Sequence, residues 1–209
     1  MKRRGSGASD DGRGTPARSE RRRGEAADWQ DTWPPVGVRQ GEPEPSAGVD
    51  ALRAEGFQAV FDVEPQPGDE DRYQDHLNNN APVRMFNELR VAYVAAHLTP
   101  DWPRHIRRSN STVVVRELHV QYETEGWMHE RFAGAIAWRA RRGKSGLVEQ
   151  RLVEVETARP LARAWVVQLF VTPEGVAAFP DFYWDRVAQV EGGPVPEWPV
   201  ERTPWGPPP

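Results

Sequence analysis

Apolar residues recur at spacings of three and four through residues 81–98, APVRMFNELRVAYVAAHL, where Val83, Phe86, Leu89, Tyr93 and Ala96 form one stripe. That period predicts an α-helix with one face against a core. Asn80 or Ala81 is expected as its N-cap, and Pro82 fits the first turn because the missing N–H has no intrahelical acceptor. TPDWP is expected to end the helix. Ahead of it, FQAVFDVE (57–64) has the Phe and Val content of a strand, and PQPG breaks it. Four stretches of β character follow. STVVVRELHVQYE (111–123) is β-branched, and ERFAGAIAWRARR (130–142) alternates Phe132, Gly134, Ile136 and Trp138 with other residues. SGLVEQRLVEVET (145–157) comes after the turn RRGKSG, and LARAWVVQLFVT (161–172) is nearly continuous in apolar residues. PEG marks a turn, and DFYWDRVAQVEGG (181–193) is expected to close the domain as a short helix. The order strand, helix, four strands predicts an α+β domain in which an antiparallel meander packs one face on the long helix.

The flanks lack such patterning. Residues 1–48 are rich in Gly, Ser, Arg, Pro and Glu, and bury too little apolar surface to offset the entropy of ordering. Residues 192–209 end in PVPEWPVERTPWGPPP, the composition of an extended tail. The expected organisation is a disordered basic arm over 1–48, a folded domain over 49–191 and a proline-rich tail over 192–209.

Composition narrows the chemistry. The chain has 209 residues, a net charge of −4 and no cysteine, which removes disulfides, thiolate metal sites and a cysteine nucleophile. His97, His105, His119 and His129 have no ligand spacing with carboxylates, so no metal is expected. No apolar run approaches the roughly 18–20 residues that a membrane-spanning helix needs. MKRRGSGASDDGRG lacks the apolar segment of a secretory signal, and a cytoplasmic location is expected. Lys2, Arg3, Arg4, Arg13, Arg18, Arg21, Arg22 and Arg23 outnumber Asp10, Asp11, Glu20 and Glu25 in the leader. Without an aromatic platform or folded motif beside them, these charges read as a solvated leader, not a nucleic-acid arm.

The candidate chemistry lies in DEDRYQDHLNNN (69–80), an acid-rich turn running into the helix. Together with the element order, HLNNNAPVRMFNELRVAYV resembles the hotdog-fold thioesterases of the 4-hydroxybenzoyl-CoA thioesterase type. In that family a D-x-D-x-x-G-H-x-N-N loop leads into the central helix. His76, Asn78, Asn79, Phe86, Glu88 and Arg90 stand at matching offsets, and the likeness spans about residues 57–190. The acids do not match without a gap. Counted back from His76, the family's acid positions fall on Glu70 and Arg72, and its glycine falls on Asp75. Re-gapping makes Asp75 the leading acid, with Asp71 a further candidate.

The resemblance implies a hotdog fold, with about five antiparallel strands wrapped around one long helix, and hydrolysis of an acyl thioester on coenzyme A or acyl carrier protein. It implies no cofactor beyond that substrate. A carboxylate of Asp75 or Asp71 would act as base or nucleophile, with His76, Asn78 and Asn79 beside it. Amides at the helix start would stabilise the oxyanion. Asn80, Phe86 and Glu88 would contact substrate, with the acyl chain beside Phe86. Glu88 also has Arg84 in reach at i−4, and RHIRR (104–108) and RRGK (141–144) are candidate phosphate contacts. The family's interfacial sites imply a homodimer or homotetramer. The alternative is an acyl-thioester binding protein that has lost the catalytic acid, as Arg72 at the acid offset suggests.

Overall fold

A computed structural model of the chain describes residues 35–99 and 101–198. The elements are α1 (Ala47–Ala54), β1 (Ala59–Val63), α2 (Asn80–His97), α3 (Asp101–Ser109), β2 (Thr112–Tyr122), β3 (Phe132–Arg142), β4 (Ser145–Glu154), β5 (Pro160–Thr172), β6 (Gly175–Ala177) and α4 (Asp181–Glu191). All strands pair antiparallel in the order β1-β3-β4-β5-β2, with β6 continuing along β5. The expected meander of four strands therefore holds only for β3, β4 and β5. Residues 123–131 carry the chain across the end of the sheet, so β2 pairs with β5 and becomes an edge.

The helix α2 lies against the inner face. Its buried residues are Ala81, Pro82, Met85, Phe86, Leu89, Ala92 and Tyr93. Compared with the expected stripe, Val83 is half-buried and Ala96 exposed, because the buried arc is centred on Leu89. These side chains join Phe61, Val63, Ile136, Val148, Leu152 and Val166 in one core. Helix and sheet meet closely at Gly134: a Cβ there would lie 2.8 Å from both Leu89 methyl groups and from Val63 Cγ2.

The outer face is covered in part by α1, which the flank composition had concealed. Ser46 caps it, Oγ accepting from Val49 N at 3.3 Å, and Val49 and Leu52 pack on Val60, Ala133, Ala135 and Val153. The folded part thus reaches further toward the N-terminus than residue 49, with Val38 bridging Val63 at the β1 edge. At the other end Val195 is buried and Glu197 bridges Arg141, so the expected tail contributes to the fold as far as Trp198. The rest of the arm and tail lies outside the described residues. DWP, expected to end α2, begins α3, with Pro103 in its first turn and Trp102 buried against Phe170, Phe179 and Tyr183. Among the described residues no helix is long and apolar enough to cross a membrane.

Candidate active site

The pre-helical loop is fastened by three groups. Asp69, 4% exposed, receives Arg84 Nε at 2.8 Å on one oxygen and Nη2 at 2.5 Å on the other, where Gln66 N also donates at 2.8 Å. Arg84 therefore pairs with Asp69 and not with Glu88, whose oxygens accept from Val36 N and Asn87 Nδ2. Glu70 and Leu77 form an antiparallel bridge that closes a turn over residues 71–76, and Leu77 N donates to Gly126 O at 2.8 Å.

Asn78 joins the loop to the helix. Its Oδ1 accepts from Asn80 N at 2.8 Å and Ala81 N at 3.1 Å, and its Nδ2 donates to Gly68 O and Glu70 O at 2.9 and 3.1 Å. The N-cap residue is Asn79, in place of the expected Asn80 or Ala81, while the capping bonds come from the Asn78 side chain. With both ends of its carboxamide occupied, Asn78 positions the loop and has nothing left for a substrate. The Asn80 and Ala81 amides are taken and Pro82 has none, so the oxyanion donor expected at the helix start narrows to Asn79 N–H. That amide has no acceptor among the described residues.

The candidate acids differ in setting. Asp71 is half-buried; one oxygen accepts from Tyr73 N at 2.8 Å and Gln74 N at 3.2 Å, and its own amide donates to His76 O. Asp75 is exposed, with no hydrogen bond to its carboxylate among the described residues. The Glu70 carboxylate accepts from Gly68 N at 2.6 Å. A D-x-D pair is present as Asp69 and Asp71 once one extra residue is allowed before His76; the glycine position still holds Asp75. His76 lies 2.8 Å from Leu77 O through Nδ1; a carbonyl only accepts, so Nδ1 donates and Nε2 is left for another partner. Trp127 stands edge-on to its ring at 6.3 Å.

Phe86 is 0% exposed and presents no surface to a ligand. Accessible apolar surface lies instead on β2. Residues paired across strands share a face, so Val113, Val115, Leu118, Val120 and Tyr122, opposite Phe170, Gln168, Val166, Ala164 and Ala162, point to the helix side. Yet Val115, Leu118 and Tyr122 remain 45%, 40% and 49% exposed, an apolar shelf that α2 does not cover. Tyr122 Oη donates to Asn79 O at 2.7 Å and ties this shelf to the helix start. The shelf escaped sequence analysis because alternation along β2 does not show which strands leave a side uncovered.

Arg90 sits in the flank of α2 that faces β4. Its guanidinium donates to Gln150 Oε1 at 2.8 Å and Asn87 Oδ1 at 3.2 Å, and burial lowers its pKa to about 10. Of the basic candidates, Lys144 is spent on Val176 O and Arg141 on Glu197 and the Trp184 ring. Arg104, Arg107 and Arg108 are exposed and make no ion pair with a described residue. Two open clefts, of about 570 and 380 Å³, lie beside α3 and α4, away from the pre-helical loop. Among the described residues no group of three or more His, Cys, Asp or Glu is arranged to hold a metal.

Several solved structures share this architecture. A thioesterase from Thermus thermophilus, complexed with coenzyme A and Zn, has 20% identity and a TM-score of 0.57, covering 67% of this chain and 98% of its own. A 1,4-dihydroxy-2-naphthoyl-CoA thioesterase from Synechocystis has 14% identity and a TM-score of 0.56, covering 63% and 94%. A Staphylococcus aureus protein in complex with CoA has 14% identity and a TM-score of 0.57, covering 69% and 92%. At these identities the likeness establishes the hotdog fold. No curated protein sequence matches the chain. The sequence pattern of the thioesterase-like superfamily, however, matches residues 65–189. Over that span, which runs from the pre-helical loop through most of α4, the chain belongs to the thioesterase-like superfamily.

Proposed function

We propose that the protein hydrolyses an acyl thioester carried on coenzyme A or a phosphopantetheine carrier, with no further cofactor. The observation that carries this reading is the junction at Asn79. There an unclaimed amide, a loop bearing a half-buried carboxylate and an apolar shelf are tied together through the Tyr122–Asn79 bond. Family membership and the CoA-bound relatives support the substrate class.

In this mechanism Asp71 is the base. Two backbone amides hold one of its oxygens, which fixes the carboxylate and leaves the other oxygen for water. Water attacks the thioester carbon as Asp71 takes its proton, and Asn79 N–H donates to the oxyanion. Collapse breaks the C–S bond; the thiolate leaves and the proton returns to it. A direct attack by Asp71, giving an anhydride that water then opens, uses the same geometry. His76 Nε2 is left for a bound water, and the acyl chain lies along Val115 and Leu118, not beside Phe86.

The uncovered edge of β2 calls for a second copy. A strand of 11 residues with free backbone groups and an exposed apolar face is a pairing surface, and a homodimer formed there encloses the shelf. The test is thiol release from a panel of acyl-CoAs by the wild type, Asp71→Asn and Asp75→Asn. Asp71→Asn should lower kcat by about 100-fold or more, 100-fold being the lower end of the range for removing a general base, while Asp75→Asn keeps most activity. The reverse ranking would move the role to Asp75. Tight acyl-CoA binding with no thiol release from the wild type would establish the second reading, a binding protein, which rests on Arg72 at the gap-free acid offset.

A further inference from the structure

The larger of the two clefts has a lining whose positive charges no protein group answers. Its volume of about 570 Å³ is bordered by Asp101, Arg104, His105, Arg108 and Ser109 of α3 and by Phe182 in the first turn of α4. The helical period selects these positions: 101, 104, 105, 108 and 109 form one stripe of α3, and Arg107 falls outside it. Arg104 and Arg108, one turn apart on that stripe, are exposed and make no hydrogen bond or ion pair with a described residue. Like charges at i and i+4 weaken a helix unless an anion lies between them. The helix dipole accounts for Asp101 in the first turn and for Arg107 and Arg108 in the last, but not for Arg104.

The wall beside the arginines is aromatic and held in place. His105 stacks on the buried Trp102, with ring centroids 5.7 Å apart and planes at 11°. Phe182 meets His105 edge-on at 5.1 Å, and Phe170 lies 5.8 Å from it. Three rings thus fix the imidazole, while its nitrogens make no hydrogen bond with a described residue. Phe182 stays 39% exposed, an apolar surface next to two cations. Ser109 adds shape alone: its hydroxyl donates to His105 O at 2.7 Å and stands 2.6 Å from Ser111 Oγ. The smaller cleft, which shares Asp101 and Phe182, has the opposite balance. It adds Asp185 and Arg186, and Arg186 is engaged by His97 O at 2.9 Å and Gln189 Oε1 at 2.8 Å. Two unanswered guanidinium groups against the single carboxylate of Asp101 make the larger cleft the one that attracts an anion.

We propose that this cleft is a second binding site, for a small organic anion whose carboxylate or phosphate ester is carried on an aromatic or apolar group. Arg104 and Arg108 take the anionic head, with the His105 ring as a further donor, and Phe182 receives the apolar body. Guanidinium forks match either head, and the volume is that of a small-molecule site. Binding there needs no thioester cleavage and none of the residues of the pre-helical loop, so it stands whether or not the protein is a hydrolase.

The experiment titrates the full chain with benzoate, phenyl phosphate, inorganic phosphate and benzyl alcohol, by calorimetry and by amide shifts in ¹⁵N-labelled protein. Benzoate or phenyl phosphate should bind and shift the amides of residues 101–109 and 181–183, and the tighter of the two identifies the head. Inorganic phosphate, which lacks the apolar body, and benzyl alcohol, which lacks the charge, should each bind more weakly. Arg104→Gln/Arg108→Gln should lower affinity about 10-fold or more, the equivalent of one lost charge-assisted contact. Arg107→Gln, on the same helix but off the stripe, should leave it nearly unchanged. Phe182→Ala should erase the preference for phenyl phosphate over inorganic phosphate. All four side chains are exposed, and thermal melts check that each variant folds. Any of four results overturns the site: no binding of either organic anion at millimolar concentration, inorganic phosphate bound as well as phenyl phosphate, equal losses in Arg107→Gln and the double variant, or shifts confined to residues 69–81.

Discussion

Replacing Arg84 by Met tests how the site is held. Asp69 is buried, and Arg84 grips both its oxygens at 2.8 and 2.5 Å; without that side chain the carboxylate keeps only the Gln66 amide. Breaking a buried pair from one side costs about 3–5 kcal/mol, because a charge is left desolvated and uncompensated. Arg84 is itself 26% exposed, and water entering its place recovers part of the loss. The expected cost is therefore at the low end, about 3 kcal/mol, or a fall in Tm of roughly 6–12 °C for a domain of this size. Asp69→Asn in the Arg84→Met background removes the stranded charge, so the double variant should be more stable than the sum of single losses by about 1–3 kcal/mol. Activity reports the same change, since Asp69 O accepts from Asn78 N at 2.8 Å and loosening Asp69 frees the helix cap. Urea unfolding of the four proteins, with kcat/KM measured in parallel, gives the cycle. A loss under about 1 kcal/mol for Arg84→Met, additive with Asp69→Asn, would show the pair to be a screened surface contact and refute the reasoning.

Two other expectations concern the core and pH. Gly134→Val should destabilise by about 1–3 kcal/mol through overpacking, since even a Cβ lies 2.8 Å from Leu89 and Val63 carbons; adding Leu89→Ala should recover part of that loss in denaturant titrations. His97 packs between Tyr93 and Phe61, and burial, then the nearby Arg186, holds its pKa below the ordinary 6.5. The folded state thus binds fewer protons than the unfolded one near that value, so stability is fully present above pH 6.5 and falls as the pH drops below it. Unfolding free energies from pH 8 to 5 should show the decline in the wild type and lose it in His97→Asn.

The central helix and five strands were legible because burial leaves a trace in the apolar residues, periodic along α2 and β3, nearly continuous along β5 and a short Phe and Val run in β1. The destination of β2 was not. Its alternation says that one side is apolar, but not whether β3 or β5 receives its hydrogen bonds. The helix α1 was hidden because its short apolar face follows a proline-rich run, and α3 because Pro103 reads as a break until it is seen in a first turn. Within DEDRYQD every acid looks alike; Asp69 stands apart only once Arg84, a turn into the helix, is known to reach back to it. Asn78 and Asn79 were singled out together, and the hydrogen bonds divide them. One is consumed in holding the loop, while the other keeps an open N–H.

Four of the nine indoles fall into two separate groups. Trp102, Trp138 and Trp184 belong to a cluster with Phe179 and Tyr183 around α4, beyond the C-terminal end of α2. Trp127 touches His76 at the opposite end. Melting of the distal cluster changes the surroundings of the first group, and Trp127 is the indole that adjoins the pre-helical loop. A spectral change that is lost in Trp127→Phe therefore originates at the pre-helical loop and not in the distal cluster.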